Sequence, residues 1–484
     1  MVSSRSVLRR DSRHRRSALV AAALVAVFAL LLVLHSAQPF RGDEPHYLVL
    51  TTSLILDGDV DVKNNYLAGD TLRYFDAPID PHVNGAIFDA RSTHWYSQHG
   101  VGLSAVLVPG VVAADTKGAT LTMVLLALVV LVLAFLWTRR FTDDRTSAGI
   151  ATAALGLSPF FLGLEGRIFP DLAAAALLLG CLLLLELPAR RGRELVLLSV
   201  LIGLSPWFHF KNALAFATVA AIALVQIARN TTGKTRFRLL LALLLPALVS
   251  ALGYEIAVRT WYASWLPTHM YSPNNQASLD PLRGLAANSF DSARGLLVND
   301  PALLLLLVGV PIWLRRWRGP FLRLALVLGP TILVQAGFSD WSGGYSPPGR
   351  YTLQFVPALL PAIGLLVRRK TLGLRVLIGL LLGLNWTLAA AFVWLRPQWG
   401  SAGFRSPLFN AIQTRLGPAL DRAAPAFDGN GRLLHGEWQL VAWLVLSGAL
   451  VVYGGWLARG GARTAGEMPV LPPAPFAVVV DRHG

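Results

Sequence analysis

The feature that most constrains this chain is a series of about a dozen apolar segments, each of roughly 15 to 24 residues, separated by polar loops. A helix of about 20 residues spans the hydrocarbon core of a bilayer, so each segment is a candidate transmembrane helix. Only 14% of the residues are charged, whereas a soluble domain has about 25%. The sequence therefore excludes a water-soluble globule and predicts an all-α integral membrane protein.

The basic residues predict the orientation of the chain in the membrane. The net charge of +16 is concentrated in short loops and in the segment before the first apolar run. Because short cytoplasmic loops are enriched in Lys and Arg, both termini are predicted to be cytoplasmic. The charge follows topology, so we do not expect a nucleic-acid partner. The single cysteine, Cys181, lies in an apolar segment, which excludes an intrachain disulfide and a cysteine-based zinc site.

About twelve spans satisfy this charge rule. They are 18–37, 118–138, 146–163, 171–187, 195–208, 212–228, 239–258, 301–314, 321–337, 351–367, 373–394 and 439–458. Residues 1–17 are then a cytoplasmic N-terminus, 18–458 a transmembrane domain and 459–484 a disordered cytoplasmic tail. The segment 101–114 is short and interrupted by Pro109, so it is predicted to lie on the external surface of the bilayer or to dip into it.

Two adjacent acids, Asp43 and Glu44, follow the first predicted span and begin the external loop 38–117. Burial and mutual repulsion raise a carboxyl pKa and a nearby cation lowers it, so such a pair can act as a general base. Acids in the first turn of the helix that Pro45 begins would equally stabilise its N-terminus. The spacing alone leaves both interpretations open.

Metal-binding patterns are weak in the same loop. The acidic segment 57–68 has Val62 and Ala68 where a calcium-binding EF-hand needs Gly and Glu. The histidines His82, His94 and His99 lack the i, i+4 spacing of a helical zinc site. No metal ligands are predicted from this spacing.

Other predicted external loops carry cations and aromatic side chains. Arg350 follows a loop rich in Gly and Pro, and its planar guanidinium suits a phosphate group. The aromatic side chains could stack on a sugar or belong to the interfacial belt. The remaining candidate binding residues are Lys63, Arg73, Arg167, Asp171, His209, Lys211, Trp341 and Tyr345.

The segment Gly42 to Tyr47 after a first span, followed by the acidic segment that ends at Tyr66, resembles the GT-C glycosyltransferase superfamily. The resemblance is to the branch of protein O-mannosyltransferases and aminoarabinose transferases. It extends weakly through the segment 167–171 and through the loop that contains Trp341 and Arg350.

This resemblance implies a bundle of about twelve transmembrane helices, with short external helices in the first loop. It also implies an inverting transferase of the bacterial cell membrane, with its active site on the non-cytoplasmic face. The donor would be a polyprenyl-phosphate sugar, and the acceptor a hydroxyl of a cell-envelope glycan, lipid or protein. Asp43 matches the base position, with Glu44 as its partner, and Arg350 is the first choice for the phosphate. Participation of a divalent cation is left open.

Two other functions compete with this one. A transporter of lipid-linked sugars would carry titratable groups near the membrane midplane and an internal repeat, and the sequence shows neither. A non-catalytic membrane subunit would be free to lose the two acids and Arg350, which this chain retains.

Overall fold

The computed structural model describes most of the region that follows the first predicted span. The described residues are 40–75, 77–83, 93–187, 192–266, 280–338, 341, 343, 346, 349–369, 371–395, 411–412, 423–428 and 431–460. The predicted span 18–37, the N-terminus 1–17 and residues 461–484 of the predicted tail lie outside this set.

The described chain is mostly helical, as predicted. The helices of its first half are Glu44–Leu56, Lys63–Ala68, Val101–Thr142, Arg145–Gly156, Pro159–Leu164, Asp171–Leu185, Gly192–Phe208, Ala213–Asn230 and Gly233–Tyr262. Those of its second half are Pro281–Phe290, Leu296–Asn299, Leu304–Arg316, Arg318–Ala336, Arg350–Leu353, Val356–Val367, Leu372–Leu395 and Glu437–Gly460. Single 3-10 turns cover Asp70–Arg73, Phe210–Asn212 and Pro301–Leu303. One addition to the all-α prediction is an antiparallel pair of short strands, Ala426–Phe427 and Leu433–His435.

Six described helices are long and apolar enough to cross a membrane. They are Val101–Thr142, Phe210–Asn230, Gly233–Tyr262, Arg318–Ala336, Leu372–Leu395 and Glu437–Arg459. Other predicted spans correspond to shorter helices, such as Asp171–Leu185 and Val356–Val367. The predicted span 146–163 is broken, because Ser158 accepts the amide N–H of Phe161 and Pro159 begins a new helix. The total of about twelve spans therefore stays a prediction.

The long helix Val101–Thr142 is broken at Ala114 and Asp115, whose backbone angles are not helical. Asp115 has φ +52°, a left-handed conformation that is rare for residues other than Gly, Asn and Asp. On either side of the break, the backbones of Gly110 and Gly118 approach so closely that a Cβ at either position would clash with the other. Residues 101–113 therefore form a helical segment separate from the one that follows, and their location at the surface of the bilayer stays a prediction.

Small residues allow the bundle to pack closely. A Cβ at Gly203 would lie 2.8 Å from Cβ of Ser250, where the helix Gly192–Phe208 packs on Gly233–Tyr262. A Cβ at Gly309 would collide with the backbone of Ala362, where Leu304–Arg316 contacts Val356–Val367. Such close approach of helix backbones is how membrane helices associate, since lipid and Leu are equally apolar.

The main core joins the first loop to the bundle. Helix Glu44–Leu56 is buried from Glu44 to Ser53 and packs on Val101–Thr142. The hydroxyl of Ser104 donates a hydrogen bond to the carbonyl oxygen of Tyr47 at 3.0 Å. The start of this buried helix is therefore fixed against the bundle, and it places Asp43 and Glu44 next to the ends of several other helices.

Candidate active site

Arg350 is the centre of a buried charged cluster at the predicted external end of the bundle. Its Nε donates to Oδ2 of Asp171 at 3.0 Å, and its Nη1 donates to Oδ2 of Asp43 at 3.0 Å. The side chain of Arg350 is 4% exposed and that of Asp171 2%, whereas that of Asp43 is 26% exposed. Phe169 stacks on the guanidinium at 4.1 Å from its ring centroid. Asp43 is therefore the exposed edge of an otherwise buried cluster.

Glu44 belongs to a second ion pair, separate from that of Asp43. Its Oε2 accepts hydrogen bonds from Nη1 of Arg167 at 3.0 Å and from the backbone amide of Arg41 at 2.8 Å. Its Oε1 accepts the amide N–H of Ile168 at 2.9 Å, and the residue is 1% exposed. Burial raises the pKa of Glu44, and Arg167 and the two amides limit the rise. These contacts give Glu44 and Arg167 the geometry of a structural pair that fixes the chain before Asp171.

The loop before Arg350 has a backbone that glycine makes possible. Gly343 has φ +77° and Gly349 has φ +64°, in the left-handed region that glycine adopts without strain. The carbonyl oxygen of Gly343 accepts a hydrogen bond from Nη1 of Arg350 at 3.4 Å, and a Cβ at Gly343 would lie 3.3 Å from Cδ of Arg350. The glycine therefore lets the loop close over the arginine side chain.

Three buried amides hold the helix ends behind this loop. Asn212 donates to Gln354 at 3.1 Å, Gln354 donates to Gln335 at 3.3 Å, and Gln335 donates to Asn212 at 3.0 Å. Each side chain donates one hydrogen bond and accepts one within the triangle, and Gln354 also donates to the carbonyl oxygen of Tyr351 at 2.9 Å. It connects the start of Ala213–Asn230 to the end of Arg318–Ala336 and to the chain just after Arg350.

Lys211 and His209 lie beside the charged cluster. Nζ of Lys211 is 3.2 Å from the ring centroid of Tyr351, and the guanidinium carbon of Arg350 is 5.3 Å from the same ring. His209 accepts the amide N–H of Lys211 at 3.4 Å through its Nδ1. Burial lowers the pKa of His209, and the charge of Lys211 lowers it further, so this imidazole is neutral. Lys211 is therefore a second cation at the cluster.

The histidines His82 and His99 of the first loop come together next to Asp43. Nδ1 of His82 is 3.2 Å from Nε2 of His99 and 3.8 Å from Oδ1 of Asp43. The pairing follows from an isolated β-bridge between Val83 and Ser97, which aligns the two chain segments. The spacing argument missed this cluster because such a bridge joins residues without any fixed sequence period. His94, the third histidine, instead contacts Oδ2 of Asp61 at 2.6 Å.

The electrostatics of the cluster keep Asp43 ionised. Burial alone would raise the pKa of Asp43, but the charge of Arg350 and its hydrogen bond to the carboxylate hold this pKa well below its usual value. Burial lowers the pKa of His99 to about 3 and also lowers that of His82. The site therefore presents a carboxylate and two neutral imidazoles at neutral pH.

Other predicted binding residues make contacts elsewhere. Lys63 lies 5.7 Å from the ring centroid of Trp95, and Arg73 pairs with Asp115 at 3.3 Å on the exposed surface. Trp341 is 2% exposed, and its indole N–H donates to the carbonyl oxygen of Asp428 at 3.1 Å. Trp341 belongs to a small buried cluster with Ala287 and Phe427, and its role in sugar binding stays a prediction. Tyr345 lies outside the described residues.

One further buried acid lies close to the cluster in sequence. Glu165 is 0% exposed, and neither of its carboxylate oxygens has a hydrogen-bond partner within the described part of the chain. Burial raises the pKa of Glu165 well above its usual value, so the carboxyl group is neutral at pH 7.

Comparison with known proteins identifies the fold. No protein-family model matches the chain, and no curated protein matches it by sequence. The structure is similar to that of ArnT from Cupriavidus metallidurans bound to undecaprenyl phosphate, with a TM-score of 0.54 and 15% identity over 91% of this chain and 76% of ArnT. The apo state of the same ArnT gives a TM-score of 0.53 at 15% identity, over 92% and 76% of the two chains.

A weaker likeness is to the archaeal oligosaccharyltransferase AglB from Archaeoglobus fulgidus. Its TM-score is 0.39, at 13% identity over 91% of this chain and 55% of AglB. The likeness to ArnT extends over nearly the whole chain, and it confirms the fold that the sequence resemblance predicted. The chain has the fold of ArnT.

Proposed function

We propose that the protein is an inverting glycosyltransferase that moves a sugar from a polyprenyl-phosphate donor to a hydroxyl acceptor. The acceptor would be a glycan, lipid or protein of the cell envelope. The enzyme would be a multi-pass protein of the bacterial cell membrane, with both termini in the cytoplasm and the reaction on the opposite face. ArnT, which shares the fold, is an aminoarabinose transferase whose structure was determined with undecaprenyl phosphate.

The observation that carries this proposal is the hydrogen bond between Arg350 and Asp43 across 307 positions of the chain. The reaction needs a base for the incoming hydroxyl and a cation for the phosphate that leaves. Arg350 and Lys211 supply positive charge, and Asp43 is the carboxylate with an exposed edge. Asp171 and the pair of Glu44 with Arg167 act as positioning residues.

The proposed step joins the acceptor oxygen to the anomeric carbon and breaks the bond from that carbon to the phosphate oxygen. The leaving phosphate keeps the electron pair of that bond, and Asp43 accepts the proton of the hydroxyl. Attack opposite the leaving group inverts the anomeric centre. Because Arg350 contacts Asp43 directly, a phosphate that engages Arg350 would weaken its hold on the carboxylate and make Asp43 a stronger base.

The test is transfer by the purified full chain, with radiolabelled polyprenyl-phosphate pentoses and hexoses and an envelope extract as acceptor. We expect Asp43→Asn to reduce turnover by at least about 100-fold, since a general base contributes roughly 10²–10⁴. The matched control is Asp115→Asn, because the side chain of Asp115 is 48% exposed and pairs with Arg73 on the surface.

Loss of transfer in Asp43→Asn alone, with unchanged melting temperature, supports the base assignment. Normal turnover in Asp43→Asn would remove it. Transfer that falls equally in Asp115→Asn would mean that any loss of charge in the first loop is harmful, and that Asp43 has no special role. A protein that binds the donor but transfers no sugar to any fraction of the envelope extract would be a binding subunit and not a transferase.

A further inference from the structure

The three ligand atoms of Asp43, His82 and His99 lie within 4.8 Å of one another. Zinc binds His nitrogen at about 2.0–2.1 Å and carboxylate oxygen at about 2.0–2.2 Å, so its neighbouring ligands lie roughly 3.0 to 3.5 Å apart. The observed separations are 3.2 Å between the two imidazole nitrogens and 3.8 Å from His82 to Asp43. The third separation, from His99 to Asp43, is within 4.8 Å, so the three ligand atoms are close enough to converge on one ion after small side-chain shifts.

The two oxygens of Asp43 face different partners. Oδ2 is the oxygen that accepts the hydrogen bond from Arg350. Oδ1 faces His82 at 3.8 Å, which is too long for a hydrogen bond. The orientation of the carboxylate is therefore fixed by Arg350 through one oxygen, which leaves the other directed at the imidazoles.

The imidazoles are held in place by packing that does not depend on an ion. His46 stacks on His82 with a centroid distance of 3.7 Å and an interplanar angle of 11°. Nδ1 of His46 is hydrogen-bonded to the hydroxyl of Tyr66 at 2.6 Å, and Tyr47 packs against His99 at 4.7 Å. Fixed ligand orientation is what a metal site requires of its surroundings.

Charge balance gives an independent reason for a cation here. Asp43 and Asp171 bring two negative charges to the cluster, and Arg350 and Lys211 bring two positive charges. The formal charge of these four side chains is therefore zero, so the two acids offset part of the attraction of the two cations for a phosphate that enters the cluster. A divalent ion on Asp43 would make the cluster cationic beside the guanidinium of Arg350.

We propose that Asp43, His82 and His99 form a binding site for one divalent transition-metal ion of the zinc or manganese class. Two imidazoles and one carboxylate suit these ions, whereas calcium and magnesium prefer oxygen ligands alone. The side chains of His82 and Asp43 are 36% and 26% exposed, so coordination positions stay open toward solvent. The further role of the ion, as a contact for the donor phosphate, rests on the proposed function.

The experiment is metal binding by the tag-free full chain, stripped with chelator and titrated with Co²⁺. The visible absorption of bound Co²⁺ reports nitrogen and oxygen ligands, and Zn²⁺ competition gives the affinity for zinc. We expect one equivalent to bind, and at least about 100-fold weaker binding in His82→Ala and His99→Ala. The matched control is His94→Ala, because His94 belongs to the same loop, is 61% exposed and contacts Asp61 instead.

Unchanged metal binding in both His82→Ala and His99→Ala would overturn the proposal. So would the absence of binding to the unmutated protein at 1 mM free metal, a concentration roughly a thousandfold above a micromolar Kd. If either variant fails to fold, pulsed EPR of Mn²⁺ on the unmutated protein decides, because imidazole ligands give nitrogen couplings and water does not. Metal binding without any sugar transfer would contradict the proposed function and leave the metal site standing. Sugar transfer by a protein that binds no metal would support the proposed function and contradict the metal site.

Discussion

Replacing Glu44 by Gln should strongly destabilise the protein. The carboxylate of Glu44 accepts three hydrogen bonds, from Nη1 of Arg167 and from the amides of Arg41 and Ile168. A Gln side chain has the same shape, but its NH₂ group faces at least one of these donors and cannot accept. It also removes the negative charge that pairs with the Arg167 guanidinium, which is 4% exposed.

The expected loss in the free energy of unfolding is about 3–5 kcal/mol, the usual result when one partner of a buried ion pair is removed. The matched control is Glu165→Gln. Glu165 is equally buried, but it is uncharged at neutral pH and makes no hydrogen bond within the described chain, so its replacement by a neutral isostere should cost less than about 1 kcal/mol.

The protein carries its own reporter for this measurement. Cys181 is its only cysteine and is fully buried, so a fluorogenic maleimide reacts as the chain unfolds. Glu44→Gln should react at a temperature several degrees below that of the wild type, and Glu165→Gln at nearly the wild-type temperature. Adding Arg167→Met to Glu44→Gln should recover part of the loss, since no charge then stays unpaired. Equal melting of the two single variants would refute this account of the ion pair.

Three further predictions use the same assays. Arg350→Lys should lower turnover by about 10²–10³, because a single ammonium group cannot reproduce the two guanidinium hydrogen bonds to Asp171 and Asp43. Wild-type turnover in this variant would mean that Arg350 only packs in the core. Trp341→Phe should lower the free energy of unfolding by about 1–3 kcal/mol and leave the donor KM unchanged, because it removes the indole N–H that donates to the carbonyl oxygen of Asp428. A raised donor KM with unchanged stability would contradict the placement of Trp341 in the core. Burial raises the pKa of Asp300 to about 8, although the Ser158 hydroxyl limits the rise. The free energy of unfolding of the wild type should therefore be highest below about pH 4 and should fall as the pH rises to about 8. Asp300→Asn should therefore gain about 1.4 kcal/mol per pH unit over the wild type in that window, and a pH-independent difference in melting temperature would contradict it.

The apolar segments predicted helices well and helix lengths poorly. Hydrophobicity identifies a stretch that can be buried, but turn chemistry decides where the helix ends. Pro159 follows the N-cap Ser158 and divides one predicted span, and Asp115 separates residues 101–113 from the helix after them. Both breaks depend on local backbone conformations that a hydropathy pattern does not contain.

The charged cluster was predictable only in part. The motif around Asp43 and the glycines before Arg350 indicated these two residues, but the partners of each acid follow from the packing of distant helices. Asp43 pairs with Arg350, whereas Glu44 pairs with Arg167, which spacing could not distinguish. His82 and His99 meet through a single β-bridge and therefore left no periodic signal.

Trp341 shows the converse limit. An aromatic residue in a loop with glycines has the composition of a sugar-stacking site, but its environment is decided by residues far along the chain. Here Ala287 and Phe427 cover the ring, so it belongs to a small core. Composition can indicate which side chains are able to bind a sugar, and only the fold decides which of them are exposed.

The central claim is that Asp43 and Arg350, which contact each other, act on one donor molecule. The most direct measurement is a cryo-EM map of the full chain with a non-hydrolysable polyprenyl-phosphonate sugar. The account predicts a phosphonate oxygen within about 3 Å of the guanidinium of Arg350, with the anomeric carbon facing Asp43. A donor whose phosphonate contacts Lys63 or Arg73, and whose sugar lies away from Asp43, would contradict it.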